Sequence, residues 1–410
     1  MIGIVFYSSA IKTSLPMVQS TLGPIRGIRT GSTEAFLGIP YARAPIGDRR
    51  FLPAEPVEPW HGQTLDAKTW SKACVQSLYG NYPDLFSEDC LYINIFRPTG
   101  VKRGDNLSTM FFIHGGSFTG GSGGSPLFNG SMPVFNGSTL AADGNVIVCT
   151  INYRVGPLGF FVSEELPGVS GGGNGGLNGI LDQITALRFV RSEIFAFGGD
   201  PDSVTIFGES AGALSVGVLS VSPVVERGGL VRRAIIESGS PLGKFWRLGN
   251  ASEGYSTSRQ LMNSLGVNTL TEMQKLPAGS LSTWDPAIQH NRHAWIDGRV
   301  IPENATLRQL YQRGQINVNE LVIGANTKDG LAVFYPDLLP VNADNNTIAY
   351  EKALRTYWGG IWFQFPAATI DKIVQAYPLG AFGGDAISAF AQTDGDFNVV
   401  CPSLLVNEKN

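Results

Sequence analysis

Residues 203–207, SVTIF, run straight into Gly208-Glu209-Ser210-Ala211-Gly212 and then into ALSVGVLS, a stretch of small and apolar residues without proline. A buried strand that turns into a buried helix within a few residues has one cramped solution, in which small neighbours let the chain close and a serine at the apex is thrust from the end of the sheet. Gly-x-Ser-x-Gly is the pattern of that turn. Glycine is abundant at 51 residues, so the pattern also recurs at Ser122 in GGSGG and Ser170 in GVSGG. Neither of these has a strand before it and a helix after it, and both read as turn serines. Ser210 has both, which makes it the candidate nucleophile.

Around this turn the chain alternates strand and helix patterns, the mark of an α/β fold with a mostly parallel central sheet and helices on both faces. Residues 109–114 (TMFFIH) and 145–153 (NVIVCTINY) read as buried strands, and 232–236 and 320–323 as later strands. Apolar positions at 180, 181, 184, 187, 190, 194 and 197 carry helical spacing through 179–197. Before residue 60 short strands and turns predict a small antiparallel sheet. The glycine-rich stretches at 115–124 and 168–176 sit at element ends and read as loops. No repeat or linker divides the chain, so residues 20–410 are expected to form a single α/β domain. Residues 1–19 remain unassigned; Met1 to Ala10 is apolar but lacks a basic start, which makes it a candidate degenerate signal or leader.

Composition narrows the partners. A formal net charge of −4 without blocks of like charge gives no electrostatic footprint for nucleic acid. No apolar run approaches the roughly 18 residues of a membrane span. A small or neutral partner is the expected one, with no cofactor. Four histidines, His61, His114, His290 and His293, show no ligand spacing with acids, so no metal is expected. Sequons at Asn106, Asn129, Asn136, Asn250, Asn304 and Asn345 suit a secreted glycoprotein. Cys74 and Cys90 stand close together in a loop-rich stretch, Cys149 lies in an apolar strand and Cys401 stands alone, so one disulfide is the natural count.

A serine hydroxyl becomes a nucleophile only when a base takes its proton, and the oxyanion formed by its attack needs preorganised N–H donors. His114-Gly115-Gly116-Ser117 follows a buried strand directly and matches the glycine loop that supplies such donors together with the residue after the nucleophile, here Ala211. His114 reads as structural, because it belongs to this loop's strand and not to the region after the acid.

Residues 197–212 (FGGDPDSVTIFGESAG) and 88–98 (EDCLYINIFRP) resemble the two signature stretches of the type-B carboxylesterase and lipase family. FLGIPYARAPIGDRRF at 36–51, INYRVGPLGF at 151–160, RRAIIESGS at 232–240 and LVIGANTKDG at 321–330 resemble further family segments in the expected order. The resemblance covers roughly residues 20–405. It implies an α/β-hydrolase fold, Ser210 as nucleophile, and the N–H groups of Gly116, Ser117 and Ala211 as oxyanion donors. Ser117 departs from the glycine usual at that place. The acid falls on Asp329, where many relatives carry glutamate. Glu209 and Ser238 resemble residues behind the nucleophile with a hydrogen-bonding role. Arg154 with Asp182 and Arg50 with Glu88 resemble ion pairs that pin loops, and the loop between Cys74 and Cys90 resembles one that overhangs the site.

That loop is shorter than the flap of the family's lipases, which points to a carboxylesterase acting on dispersed, uncharged esters. It also lacks the tryptophan that cholinesterases use to hold a quaternary ammonium. Tyr79, Tyr82 and Phe86 are candidates for an aromatic entrance. The competing expectation is a catalytically inactive relative with a binding or adhesion role. In α/β-hydrolases the histidine follows the acid, and no histidine follows Asp329. The sequence therefore predicts a chain without a working triad, truncated at its carboxyl end, with Cys401 parted from its partner and apolar surface exposed near residues 380–410.

Overall fold

The computed structural model of the protein describes residues 15–76, 83–124, 135–166, 176–243, 249, 251–282, 297–302, 305–327, 329–330, 346–360 and 364–407. The chain begins with β1 (Met17–Ser20), β2 (Gly23–Arg26), β3 (Ile28–Thr30) and β4 (Thr33–Pro40). Short strands β5 (Leu65–Asp66), β6 (Ala73–Cys74) and β7 (Phe86–Ser87) follow, then β8 (Tyr92–Pro98) and β9 (Leu107–Ile113). Helix α1 (Ser138–Gly144) leads to β10 (Ile147–Ile151). Helices α2 (Gly156–Phe160) and α3 (Asn178–Glu193) cross to β11 (Gly199–Glu209), which ends in α4 (Ala211–Leu219). β12 (Arg233–Glu237) and β13 (Glu320–Gly324) complete the strands among the described residues.

Among the described residues, eight strands form the main sheet in the order β13-β12-β11-β9-β10-β8-β4-β3. From β13 to β10 all neighbours are parallel; from β10 to β3 all are antiparallel. The parallel part holds the strands read from buried apolar runs. The small N-terminal sheet is also present, with β1 antiparallel to β2 and β5 joining in parallel. β3 and β4, which the sequence grouped with that small sheet, instead extend the main one. The reason is pairing at a distance: Ala35 and Phe36 face Phe96 and Ile95 on β8.

Side-chain alternation along β10 shows how both faces are covered. Ile147, Cys149 and Ile151 enter a core with Ile180, Ile184 and Leu187 of α3 and Leu214 and Val218 of α4. Val148, pointing the other way, packs with Ala35, Phe96 and Ala141 of α1. A further apolar cluster under Tyr350, Leu354, Trp358 and Phe390 joins the helices Thr347–Gly359, Ala367–Ala376 and Ala386–Gly395.

Strand order fixes where a site can form. From β9 the chain moves to β10 on one side, and from β10 it crosses through α3 to β11 on the other side of β9. The two connections part at the carboxyl end of β9, which leaves a crevice there. Ser210 and the 115–117 loop both lie at that end.

Buried ion pairs tie loops to this frame. Asp182 is fully buried and takes Arg154 Nε at 2.8 Å and Nη2 at 2.7 Å, while the backbone N–H of Arg154 donates to it at 3.0 Å. Arg50 grips Glu88 at 2.7 and 2.6 Å, and its other arm donates to the carbonyls of Gln274 and Leu276. A third pair, Arg97 with Glu34 at 2.9 and 2.7 Å, was not foreseen. Cys74 and Cys90 form the disulfide, with Cα atoms 5.0 Å apart. The Cys149 thiol is buried, which pushes its pKa up, and Cys401 is exposed. Val322, Leu404 and Leu405 are exposed apolar side chains on β13 and the helix Cys401–Asn407. No helix among the described residues is long and apolar enough to cross a membrane. Asn106 and Asn136 are exposed; the other sequons lie outside the described residues.

Replacing Asp182 by Ala leaves the Arg154 charge buried without its partner and is expected to cost about 3–5 kcal/mol. Asp66→Ala breaks an exposed pair with Arg26 and should cost under about 1 kcal/mol. Urea unfolding of the two variants checks the contrast.

Candidate active site

Ser210 has φ 57° and ψ −120°, a backbone conformation that a side chain makes costly, and it stands at the joint between β11 and α4. Its neighbours show why the motif needs glycine. A Cβ on Gly208 would lie 2.7 Å from the carbonyl oxygen of Ile113, and one on Gly212 would lie 2.0 Å from it. On the other side, a Cβ on Gly239 would meet the Ser210 carbonyl at 2.4 Å. The Ser210 N–H donates to Glu237 O at 3.0 Å, and its carbonyl accepts from Leu214 N at 3.1 Å, so the residue is locked at the helix start. Ala211 therefore presents its N–H as one of the free donors of a helix's first turn.

The loop after β9 lies directly on this turn. Gly115 is close enough that a Cβ there would stand 3.1 Å from Ser210 Cβ and 2.9 Å from Glu209 Oε2. Gly116 follows at φ 105°, and Ser117 and Phe118 both take φ 57°. Two successive left-handed residues with side chains cost about 1–2 kcal/mol each, and the fold offsets this with local bonds. Gly116 O accepts from Thr119 N at 3.0 Å and Gly120 N at 3.1 Å, and Phe118 O accepts from Gly156 N at 2.6 Å. Among the described residues, the N–H groups of Gly116, Ser117 and Ala211 have no acceptor.

His114 is held away from this chemistry. Its ring is buried and stacked on Tyr153 with centroids 4.2 Å apart, and its Nδ1 lies 2.8 Å from Gly115 O. Tyr153 donates its hydroxyl to His114 O at 2.8 Å. Burial pushes the imidazole pKa down to about 4, against the opposing bond to Gly115. His114 is a neutral wall of the loop, in keeping with the structural part read for it from the sequence.

Carboxylates gather at the ends of the neighbouring strands. Register sets Glu209 beside Glu237, and Glu237 beside Gly324. Asp329 follows Gly324 by one short turn, in which its Oδ2 accepts from Asn326 N at 2.9 Å. A Cβ on Gly395 would stand 3.0 Å from the Asp329 carbonyl carbon, so this turn is seated on the helix Ala386–Gly395. Partial burial raises the Glu209 pKa first, and the charges of Asp329 and Glu237 raise it further. Burial likewise raises Glu237. Asp329 is thus placed within electrostatic reach of the residue that precedes Ser210.

A strained serine between strand and helix, a loop with free N–H groups resting on it and an acid beyond the following strands thus meet at one end of the sheet. The carboxylesterase family model matches residues 14–409. The chain belongs to the carboxylesterase family. It is 36% identical to the para-nitrobenzyl esterase of Bacillus subtilis (strain 168) over 78% of its own length and 64% of that protein's. It is 40% identical to the fumonisin B1 esterase of Sphingopyxis macrogoltabida, covering 93% of this chain and 69% of that protein. Among solved structures, a PNB esterase superposes with a TM-score of 0.73 at 31% identity, covering 96% of this chain and 77% of that one.

Within this carboxylesterase-family chain, the structure brings Ser210, Gly116, Ser117, Ala211, Glu209 and Asp329 to one end of the sheet. Ser238 is there too, at φ 53°, with its N–H bonded to Gly324 O at 2.9 Å; among the described residues its hydroxyl makes no hydrogen bond. Ser122 is a buried loop residue. Phe86 is buried against Val75, Leu158 and Phe161, so it packs the disulfide loop and lines no entrance. His61 is exposed in a turn. Tyr79, Tyr82, Ser170, His290 and His293 lie outside the described residues. Sequence reasoning missed Glu237, Tyr153 and Gln76. Glu237 could have been found from the register of adjacent parallel strands, since β11 and β12 each end in glutamate.

Two measurements check the electrostatics. In a proton NMR titration His114 should show no inflection above about pH 5, whereas an unburied histidine titrates near 6.5. A raised carboxyl pKa stabilises the fold below the group's ordinary value, and that contribution is lost as pH rises through the raised one. Glu209→Gln should therefore melt higher than the parent at pH 7.5, with the difference closing towards pH 4.

Proposed function

We propose that the protein hydrolyses carboxylic esters through an acyl-serine intermediate on Ser210. The observation that carries this is the seating of Gly115 against Ser210, which sets the unpartnered N–H groups of the loop beside the apex of the turn. In the reaction the Ser210 hydroxyl passes its proton to a base while its oxygen bonds to the ester carbonyl carbon. The negative charge that moves to the carbonyl oxygen is received by the N–H groups of Gly116, Ser117 and Ala211. Collapse breaks the bond to the alcohol, which leaves with the base's proton. Water then repeats the sequence on the acyl-serine and releases the acid and free Ser210.

Asp329 is assigned the part of the carboxylate that orients the base. His114 is excluded as that base by its burial and its bond to Gly115, and no histidine follows Asp329 in the sequence. The 410 residues on their own should therefore hydrolyse slowly, retaining the roughly 10³–10⁴-fold advantage over water that an oxyanion site and binding supply without a complete triad. The second reading is a binding relative without turnover.

Uncharged esters, small or lipid-like, are the proposed substrates, supported by the short loop between Cys74 and Cys90 and by ester-hydrolysing names among the relatives. The disulfide and the exposed sequons Asn106 and Asn136 support an extracellular location.

A fluorophosphonate probe tests the nucleophile. Peptide mass spectrometry should find the label on Ser210, formed slowly in buffer and faster as imidazole is added to act as the base. Ser210→Ala should abolish it. An unlabelled Ser210 at every imidazole concentration, or labelling that survives Ser210→Ala, excludes the acyl-serine reading and leaves the binding relative.

A further inference from the structure

Gln76 lies just past Cys74 in the disulfide-closed loop and is 4% exposed. A side-chain amide at that depth must find its partners inside the protein. All of those it has are backbone groups. Nε2 donates to Gly121 O at 2.9 Å and to Cys74 O at 3.0 Å, and Oε1 accepts from Gly121 N at 2.9 Å. The two bonds to Gly121 close a ring like that between neighbouring strands, with one side chain standing in for a strand. Cys74 is itself fixed by the disulfide and by pairing of β6 with β7. The clamp therefore has a rigid root.

What it grips supports the loop on Ser210. Gly121 has φ 110°, and a Cβ there would stand 2.2 Å from His114 Nδ1 and 2.5 Å from Gly115 O. The adjoining Gly120 carbonyl is as close to Gly116, whose Cβ would lie 2.4 Å from it. Gly120 and Gly121 are thus the floor under Gly115 and Gly116. A shift of that floor moves the N–H groups of Gly116 and Ser117 relative to Ser210, because no side chain separates the layers.

We propose that Gln76 is a positioning residue for the oxyanion loop, holding the Gly116 and Ser117 N–H groups at Ser210 through its paired bonds to Gly121 and coupling them to the Cys74–Cys90 loop. This rests on the acyl-serine reading. A purely structural glutamine would affect stability alone; a positioning residue also changes the rate at which Ser210 reacts.

The test follows labelling of Ser210 by a fluorophosphonate probe at fixed imidazole, in the parent, Gln76→Leu and Gln76→Glu, with hydrogen exchange of residues 115–121 in parallel. Gln76→Leu should lower the maximal labelling rate about 10- to 100-fold, the scale of a misplaced oxyanion donor. The half-saturating probe concentration should change less than about threefold, as expected when ground-state binding is retained. The 115–121 amides should exchange faster. Gln76→Glu supplies a second signature, read after each rate is divided by the folded fraction measured at that pH, because a buried carboxyl also makes stability depend on pH. A protonated carboxyl keeps one donor and one acceptor for Gly121, whereas an ionised one loses the donor, and burial lifts its pKa towards neutrality. The ratio of variant to parent rate should therefore rise as pH falls from 8 to 6.

Rates in Gln76→Leu within about twofold of the parent, or a Gln76→Glu ratio that is flat with pH, overturn the proposal. If Gln76→Leu does not fold, the Gln76→Glu ratio decides. A parent unlabelled at Ser210 removes the acyl-serine reading and this inference with it; a labelled parent with indifferent variants removes this inference alone.

Discussion

At the carboxyl end of β9 the carbonyl oxygen of Ile113 occupies space that two side chains would otherwise fill, those of residues 208 and 212. The close approach of β9 to the turn between β11 and α4 is the constraint on which the rest of the site depends. With both positions glycine, the backbones touch, Ser210 is forced to the apex in a left-handed conformation, and the chain leaving β9 has nowhere to go except over it. The same intimacy recurs at Gly115 against Ser210 and at Gly239 behind it. Packing of this kind has little slack, because interiors close-packed to crystal-like density transmit small displacements.

The parts of the fold legible in the sequence were those whose signal is local. β9, β10, β11 and α4 are apolar enough that residues such as Phe111, Cys149, Ile206 and Val216 must be buried whatever their partners, and glycines mark the strand ends. The helix 179–197 was legible by spacing, although its last turn tightens into a 3-10 segment, Ile194–Phe197. β3 and β4 were misplaced because sheet membership depends on β8, far along the chain, and period-2 alternation does not name the neighbour. The Arg97–Glu34 pair was hidden for the same reason, its partners being 63 residues apart. At the site, Ser210 and the 115–117 loop carried their own signatures. Gln76 carried none, since a polar residue in an irregular loop looks the same whether it faces water or grips a backbone.

Electrostatically the site is lopsided. Glu209, Glu237 and Asp329 stand together at the ends of β11, β12 and the turn after β13, and two of them feel enough burial to hold their protons more tightly. His114, buried at the start of the glycine loop, is kept neutral. Positive charge arising beside the acids would be stabilised by their field, and negative charge would find donors in the backbone N–H groups of the loop. Proton transfer from Ser210 creates that separation, so the asymmetry suits the chemistry proposed for it.

The glycines around Ser210 are there to avoid collision, and none of them touches a proton or a substrate. Gly208 and Gly212 would be required by the Ile113 carbonyl even if residue 210 were inert. A descendant of this architecture that gave up turnover would therefore still be obliged to spell the motif around the apex, for reasons of space alone. The glycine frame diagnoses how closely two strands meet; whether anything is hydrolysed there is written in the apex side chain, its acid and its base.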